Sequence, residues 1–538
     1  MYRIMVNTKN KKVVYLVASG DARPAANETC WETQAAMEKQ LTQAVENFGW
    51  KVVRAHAYDP VRKHGFLASQ REGLDVFSKI PPEAPVIVAE SVWQFSHHVY
   101  PGLFQHQGPI LTTGNWSPTW PGLVGLLNLN GCLIKKGREF STLWSEDFTD
   151  KWFLTNLEKW LETGLVKHPN KHVKPLKKLE ISEKDRKLGV KLAEKLRVSR
   201  PIMGIFDEGC MGMYNALIQD ELLFPMGIYK ERLSQSALYF ATTQVPDAEA
   251  KAVYQWCLDR GMTFHLGTDD TTELTEAQVL EQCKMYVAAV RLAEKFGCAI
   301  IGIQYQLGLS DVMAASDLVE GLLNNADRPP VKSEDGKTVL FEGKPVLHFN
   351  EVDEGSALDA LLNNRVAAAL NQPVETTLHD VRWGAEYEDL GFVWLFMISG
   401  AVPPAHLTGG WKGAHAYRQS PMFFKKGGAT LAGTGRTGEI VWSRVCVADG
   451  KLRMDIGRGR CVSLPEEEVR RRAELANPEW PVVSAVLDGV TRDQFMGRHP
   501  ANHIQIIYAD NAKKADQLLA VKAAMAEELG IQVFTCGI

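Results

Sequence analysis

The sequence lacks most of the features that mark specialised classes of protein. Its nine cysteines are odd in number, scattered over 538 residues, and form no C-x-x-C pair. That excludes a disulfide framework or a zinc ribbon as the expected reading and leaves reduced thiols in a cytoplasmic protein as the simplest one. No apolar run is long enough for a membrane span: the strongest, "GFVWLFMISGAVPPA", is short and broken by Gly and Pro. The opening segment, "MYRIMVNTKNKKVVYLVASGD", has no long apolar stretch and no small-residue cleavage site, and reads as a strand entering a domain. Neither sign of charge is in excess, with 60 Lys+Arg against 64 Asp+Glu, so neither a nucleic acid nor an acidic membrane is an expected partner. Internal repeats and low-complexity segments are absent.

What is present is α/β patterning. "VVYLVAS", "WKVVRAHAY" and "APVIVAES" read as strands, and "ETCWETQAAMEKQLTQAVENFG" as a helix with apolar spacing near 3.6 and a Gly stop. A second such block runs from "RPIMGIFDEGCMGMYNAL" through two long helical patterns and the strand "CAIIGIQYQ". Between the blocks, the basic stretch 165–187 reads as a linker or an exposed crossing. From about residue 390 the texture becomes short β-rich runs with turn residues. The expected fold is two N-terminal α/β domains with parallel sheets followed by a β-rich C-terminal domain, divided at 1–172, 173–370 and 371–538.

Two motif matches fail on context. Gly433–Gly438 fits G-x-G-x-x-G, but a strand-like run follows it, so it reads as a Gly-rich turn. His499 and His503 fit H-x-x-x-H, but Pro500 lies between them and "HIQIIYA" looks like a strand, so a helical zinc site is not expected. Two acidic positions are more telling. Glu351 ends the apolar run "KPVLHFNE", and Asp380 ends "VETTLHD". Chemistry in α/β proteins gathers where strands end. The alternative for each carboxylate is a salt bridge, with Arg382 or Arg365 as partner. With His503 they make a set of two carboxylates and one imidazole, suited to Mn²⁺, Mg²⁺ or Co²⁺. Such a set can polarise a carbonyl and move a proton between neighbouring carbons, as aldose–ketose isomerisation through an enediol requires.

These residues resemble the L-fucose/D-arabinose isomerase family, distantly but over almost the whole length. "GIQYQLGLSD" is similar to the family's Gln-x-Gln strand, "NEVDEGSALDALLNNRVAAALNQPVETTLHDVR" to its two acidic stretches and the helix between them, and "HPANHIQII" to its Gly-Ala-Asn-His stretch. "VSLPEEEV" and "NPEWP" follow in the family's order. The resemblance implies Glu351, Asp380 and His503 as ligands of a Mn²⁺ ion, with Glu351 and Asp380 also as the catalytic proton-transfer groups. It implies Gln304, Met211, Ser399 and Asn502 as sugar contacts, and Arg23 and Trp93 as first-domain positions that reach a neighbouring subunit's site. A homohexamer acting on a small free sugar is also implied.

The sequence departs from the family in places. Asn-Glu-Val-Asp stands for Thr-Glu-Asn-Asp, and Cys-Met-Gly for Ser-Met-Gly. The region "GGWKGAHAYRQSPMFFKKGG" does not place the family's sugar-contacting tyrosine, for which Tyr417 is one candidate. A related epimerase of different specificity and a non-catalytic sugar-binding relative are the alternative readings.

Overall fold

Alternating apolar strands and helices in the first third build a five-stranded parallel sheet from β1 (Val13–Val17), β2 (Lys51–Arg54), β3 (Val86–Glu90), β4 (Ile110–Asn115) and β5 (Ser141–Ser145), in the order β2-β1-β3-β4-β5. The computed structural model describes residues 12–91, 93–119, 122–209 and 211–538. Strands β3, β4 and β5 are buried at every position, as expected where a parallel sheet is covered on both faces.

The stretch read as a linker contributes a short strand, β6 (Val173–Pro175), to a sheet described below. A second parallel sheet contains β7 (Ile202–Phe206) and β8 (Tyr229–Leu233). After the two-residue β9 (Thr263–Phe264) comes β10 (Cys298–Ile303), which joins on the other side of β7. The small antiparallel pair β11 (Val331–Lys332) and β12 (Val339–Leu340) follows. The run "KPVLHFNE" is not a regular strand: it makes only an isolated bridge at His348 with Ile301, and Glu351 lies in a short 3-10 turn.

The C-terminal part is an antiparallel barrel. Its strands are β13 (Thr376–Glu386), β14 (Phe392–Met397), then, after the short β15 (His415–Ala416) that pairs with β9, β16 (Gly438–Ala448), β17 (Lys451–Cys461), β18 (Val483–Leu487) and β19 (His503–Ala509). The order β16-β19-β13-β14-β18-β17, with β17 pairing back to β16, closes the ring. The last strand, β20 (Gln532–Cys536), adds in parallel to β17, and β6 pairs outside it. The turn Gly433–Gly438 runs into β16 and no helix follows it, so no dinucleotide motif exists there. The described cysteines are all buried and free, and no described helix is long and apolar enough to cross a membrane.

The helix Gly122–Lys136 ties the layers together. Thirteen of its 15 residues are buried, and it touches β4 on one side and β13 and β16 on the other. A helix apolar on every face belongs inside a protein. Its approach to the barrel requires glycine: a Cβ at Gly131 would stand 2.3 Å from the Pro500 carbonyl oxygen. The Trp116 indole also donates to the Gly384 carbonyl of β13 at 3.0 Å.

A polar anchor sits in the barrel's helical cover. Lys522, on the helix Ala512–Glu528, donates to Asp359, to Asn363 at 2.6 Å and to Ser443 of β16 at 2.6 Å. All four residues are fully buried. Lys522→Met is therefore expected to cost about 3–5 kcal/mol in urea denaturation, because Asp359 is left as a lone buried charge. Adding Asp359→Leu should recover part of that loss.

Candidate active site

Glu351 is held by an unusual backbone. It and Val352 have φ of +55° and +52°, a left-handed pair without glycine. Such residues cost roughly 1–3 kcal/mol each and persist only where their surroundings fix them. Here the fixing is extensive. The Asn350 amide donates to the buried Glu320 carboxylate, and the Asp353 N–H bonds the Asn350 carbonyl at 3.1 Å. Asp353 then caps the helix Glu354–Ala369 by accepting from the Ser356 N–H at 3.0 Å. The Ser399 hydroxyl, just past β14, donates to Glu351 Oε1 at 3.2 Å.

Asp380 stands within the 11-residue β13 rather than at its end. The antiparallel register places it directly opposite His503, the first residue of β19. Asn502, next to His503, donates to Asp380 Oδ1 at 3.4 Å. Burial, with Glu351 nearby, raises the Asp380 carboxyl to about 7, although His503 pulls the other way.

His503 is the junction of the site. Its Nδ1 donates to Asp353 Oδ2 at 2.7 Å, and the same oxygen takes Arg444 Nη1 at 2.5 Å. All three residues are fully buried. Burial alone would pull the imidazole down, but Asp353 and the two site carboxylates raise it to about 10. Arg444 and His503 in turn hold Asp353 below the ordinary carboxylate range against its own burial. His503 Nε2 lies 3.3 Å from Glu351 Oε2 and 3.4 Å from Asp380 Oδ1. Neither approach has hydrogen-bond geometry, so Nε2 is a buried atom with no hydrogen-bond partner.

The expected trio is thus brought together, and neither carboxylate is bridged to Arg382 or Arg365. Among the described residues no group of three His, Cys, Asp or Glu side chains is arranged so that it could hold a metal ion as it stands. The donors nonetheless fit a divalent ion in kind. Two carboxylates face an imidazole nitrogen without a partner, and the other ring nitrogen is bonded to a carboxylate, as ligand histidines commonly are.

The trio's two carboxylates open onto a pocket. Arg23, Trp93 and Val124 line it from the first part of the chain, and Met211, Tyr305 and Gln306 from the second. Arg382, Ser399, Phe423, Asn477 and Trp480 complete the wall. Arg23 pairs with Asp21 at 2.5 Å and packs 4.6 Å over the Phe423 ring. Arg23 and Trp93 line the pocket of their own chain. Gln304 is fully buried behind the wall, its Oε1 accepting from the Gln306 N–H at 3.2 Å, and Gln306 reaches the pocket instead. Tyr417 stacks on His265 at 4.3 Å outside the pocket, whose phenol is Tyr305. His499 is a loop residue whose ring bonds the His503 carbonyl at 2.8 Å and stacks on Phe495.

Sequence reasoning missed Asp353, Arg444, Tyr305, Gln306 and Trp480 as parts of this site, and gave Arg382 only as an ion-pair partner. Two had a local signal: Asp353 follows Glu351 by two positions in "NEVDEG", and Arg382 follows Asp380 by two along a strand, where alternate residues share a face. Arg444 had none, since only the barrel's closure carries β16 to the Glu351 turn.

Residues 405–533 match the family model for the L-fucose isomerase C-terminal domain. The match supports an L-fucose isomerase-like protein; it takes in Asn502 and His503 and ends before neither, while Glu351 and Asp380 lie upstream of it. No curated protein matches the chain.

Asp353→Asn keeps the helix cap but removes the charge that orients the His503 ring. It is expected to weaken Mn²⁺ binding about 10–100-fold, measured by equilibrium dialysis.

Proposed function

We propose that the protein is a metal-dependent aldose–ketose isomerase acting on a free sugar, such as L-fucose or D-arabinose, through an enediol. One observation carries the reading: His503 Nε2, buried without a hydrogen-bond partner, faces Glu351 and Asp380, and both carboxylates line a pocket. The L-fucose isomerase C-terminal domain in the same chain supports it.

Glu351, Asp380 and His503 would hold the ion, with Mn²⁺ first and Mg²⁺ or Co²⁺ as alternatives. When bound, it supplies Lewis-acid polarisation of the carbonyl and the neighbouring hydroxyl. The chain's own groups do the remaining work. Glu351 and Asp380 both stand beside His503 Nε2, where one could take a proton from one carbon and the other return it to the next. Ser399 fixes one oxygen of Glu351, and Asn502 fixes one of Asp380. Met211, Trp93 and Tyr305 supply apolar and aromatic walls that limit water at the reacting carbons. The cytoplasmic location and the homohexamer belong to the same proposal, supported by the buried free thiols and by the family resemblance.

Glu351→Gln and Asp380→Asn are each expected to lower isomerisation of a panel of aldoses by about 10²–10⁴-fold with Mn²⁺ present. Full activity in either variant sinks the mechanism.

The protonation of the site sets a second expectation. Both Asp380 and His503 hold their protons to higher pH than usual, about 7 and about 10. Both protons must leave before the groups can bind a cation, so affinity for Mn²⁺ rises with pH. Calorimetry in buffers of different ionisation enthalpy should show about two protons released per ion well below pH 7, and about one between pH 7 and 10. Proton release that does not change across pH 7 removes Asp380 from the ligand set.

A further inference from the structure

Six arginines are buried among the described residues: Arg328, Arg382, Arg418, Arg444, Arg458 and Arg472. Five donate to oxygens. Arg328 bonds the Lys344 carbonyl and Tyr286, and Arg418 the Asp270 carbonyl. Arg444 bonds Asp353, Arg458 bonds Glu439, and Arg472 bonds Glu468. Arg382 makes no hydrogen bond to any described group. It is 6% exposed, and its Nε is sealed from solvent without a partner. Burying a guanidinium with five unused donors is costly unless something else accepts from them.

The backbone directs this group into the pocket. The register between β13 and β14 slips between Val381 and Trp383, so Arg382 has no partner on β14. Bulges of this kind re-aim a side chain beside a functional site. The guanidinium lies over the Trp480 ring at 5.3 Å, a contact that steadies the cation but satisfies none of its N–H groups. The Asn477 side-chain oxygen, in the same wall, is also buried and unpartnered.

The charges point the same way. Arg23 is already neutralised by Asp21. If Glu351 and Asp380 serve a divalent ion, Arg382 remains without a counter-charge. We infer that the pocket takes a sugar acid, an aldose whose far end bears a carboxylate gripped by Arg382. A guanidinium's planar fork matches the two oxygens of a carboxylate. The reaction part of this inference rests on the isomerase reading; the binding part rests only on the carboxylates' holding an ion, not on any turnover.

The test begins with binding, measured by calorimetry with and without Mn²⁺. An unreactive six-carbon aldonate is compared with the corresponding neutral alditol. The aldonate is expected to bind at least about tenfold tighter, as a charge-assisted bidentate pair should provide. Arg382→Gln should erase that preference, bringing aldonate affinity down to within about twofold of the alditol's. If Arg382→Gln fails to fold, Arg382→Lys keeps the charge, loses the fork, and should narrow the gap between aldonate and alditol binding. Equal binding of the two ligands, or a preference that survives both substitutions, overturns the inference. Turnover of a hexuronate and of neutral aldoses is then compared. An aldonate preference with no isomerisation of any sugar overturns the isomerase reading and leaves this inference standing. Turnover of neutral aldoses without an aldonate preference does the reverse.

Discussion

The buried Asp353 carboxylate is the joint on which the site depends. One of its oxygens is shared by Arg444 of β16 and His503 of β19, and the other caps the helix that follows the Glu351 turn. A single side chain thus links two barrel strands to the segment that presents Glu351. The link is expensive, since every participant is out of water. It also makes two consecutive left-handed residues tolerable, because the turn is clamped on both sides. The imidazole orientation, the position of Glu351 and the register of β19 against β13 are all consequences of the same anchor.

The pocket is a product of layering. The barrel supplies Asp380, Arg382 and Ser399, the second α/β part supplies Tyr305 and Gln306, and the first supplies Arg23 and Trp93. What brings the first part close enough is a helix with almost no exposed face, whose glycine lets it rest on the loop before His503. Packing of this kind fixes the relative positions of groups far apart in sequence, because close-packed interiors transmit displacement.

Much of this was legible in the sequence. The α/β alternation, the later β-rich texture and the three convergent side chains were readable because each is carried by local pattern or by residue type. The placement of Asp380 was read less well. "VETTLHDVR" looks like a strand ending at a carboxylate, but the run continues through buried Trp383 and Gly384, so the acid sits mid-strand. "KPVLHFNE" has the apolar content of a strand but meets its neighbour β10 in a single bridge at His348, which no single segment reveals. Arg444 and Trp480 were invisible for a related reason: they approach the site only through barrel closure and a loop crossing. Gln304 and Gln306 show the finest limit. Either could face the pocket by composition, and the backbone after β10 decides for the second.

Barrel closure leaves the sheet with little free edge. Six strands satisfy one another, and the spur that extends from β17 through β20 ends at β6. That last strand is three residues long, carries Lys174, and finishes with Pro175, which has no N–H to offer. Short, charged, proline-bearing edges are poor templates for another strand. The basic stretch that reads as a linker therefore gives this sheet an outer edge that resists edge-to-edge growth.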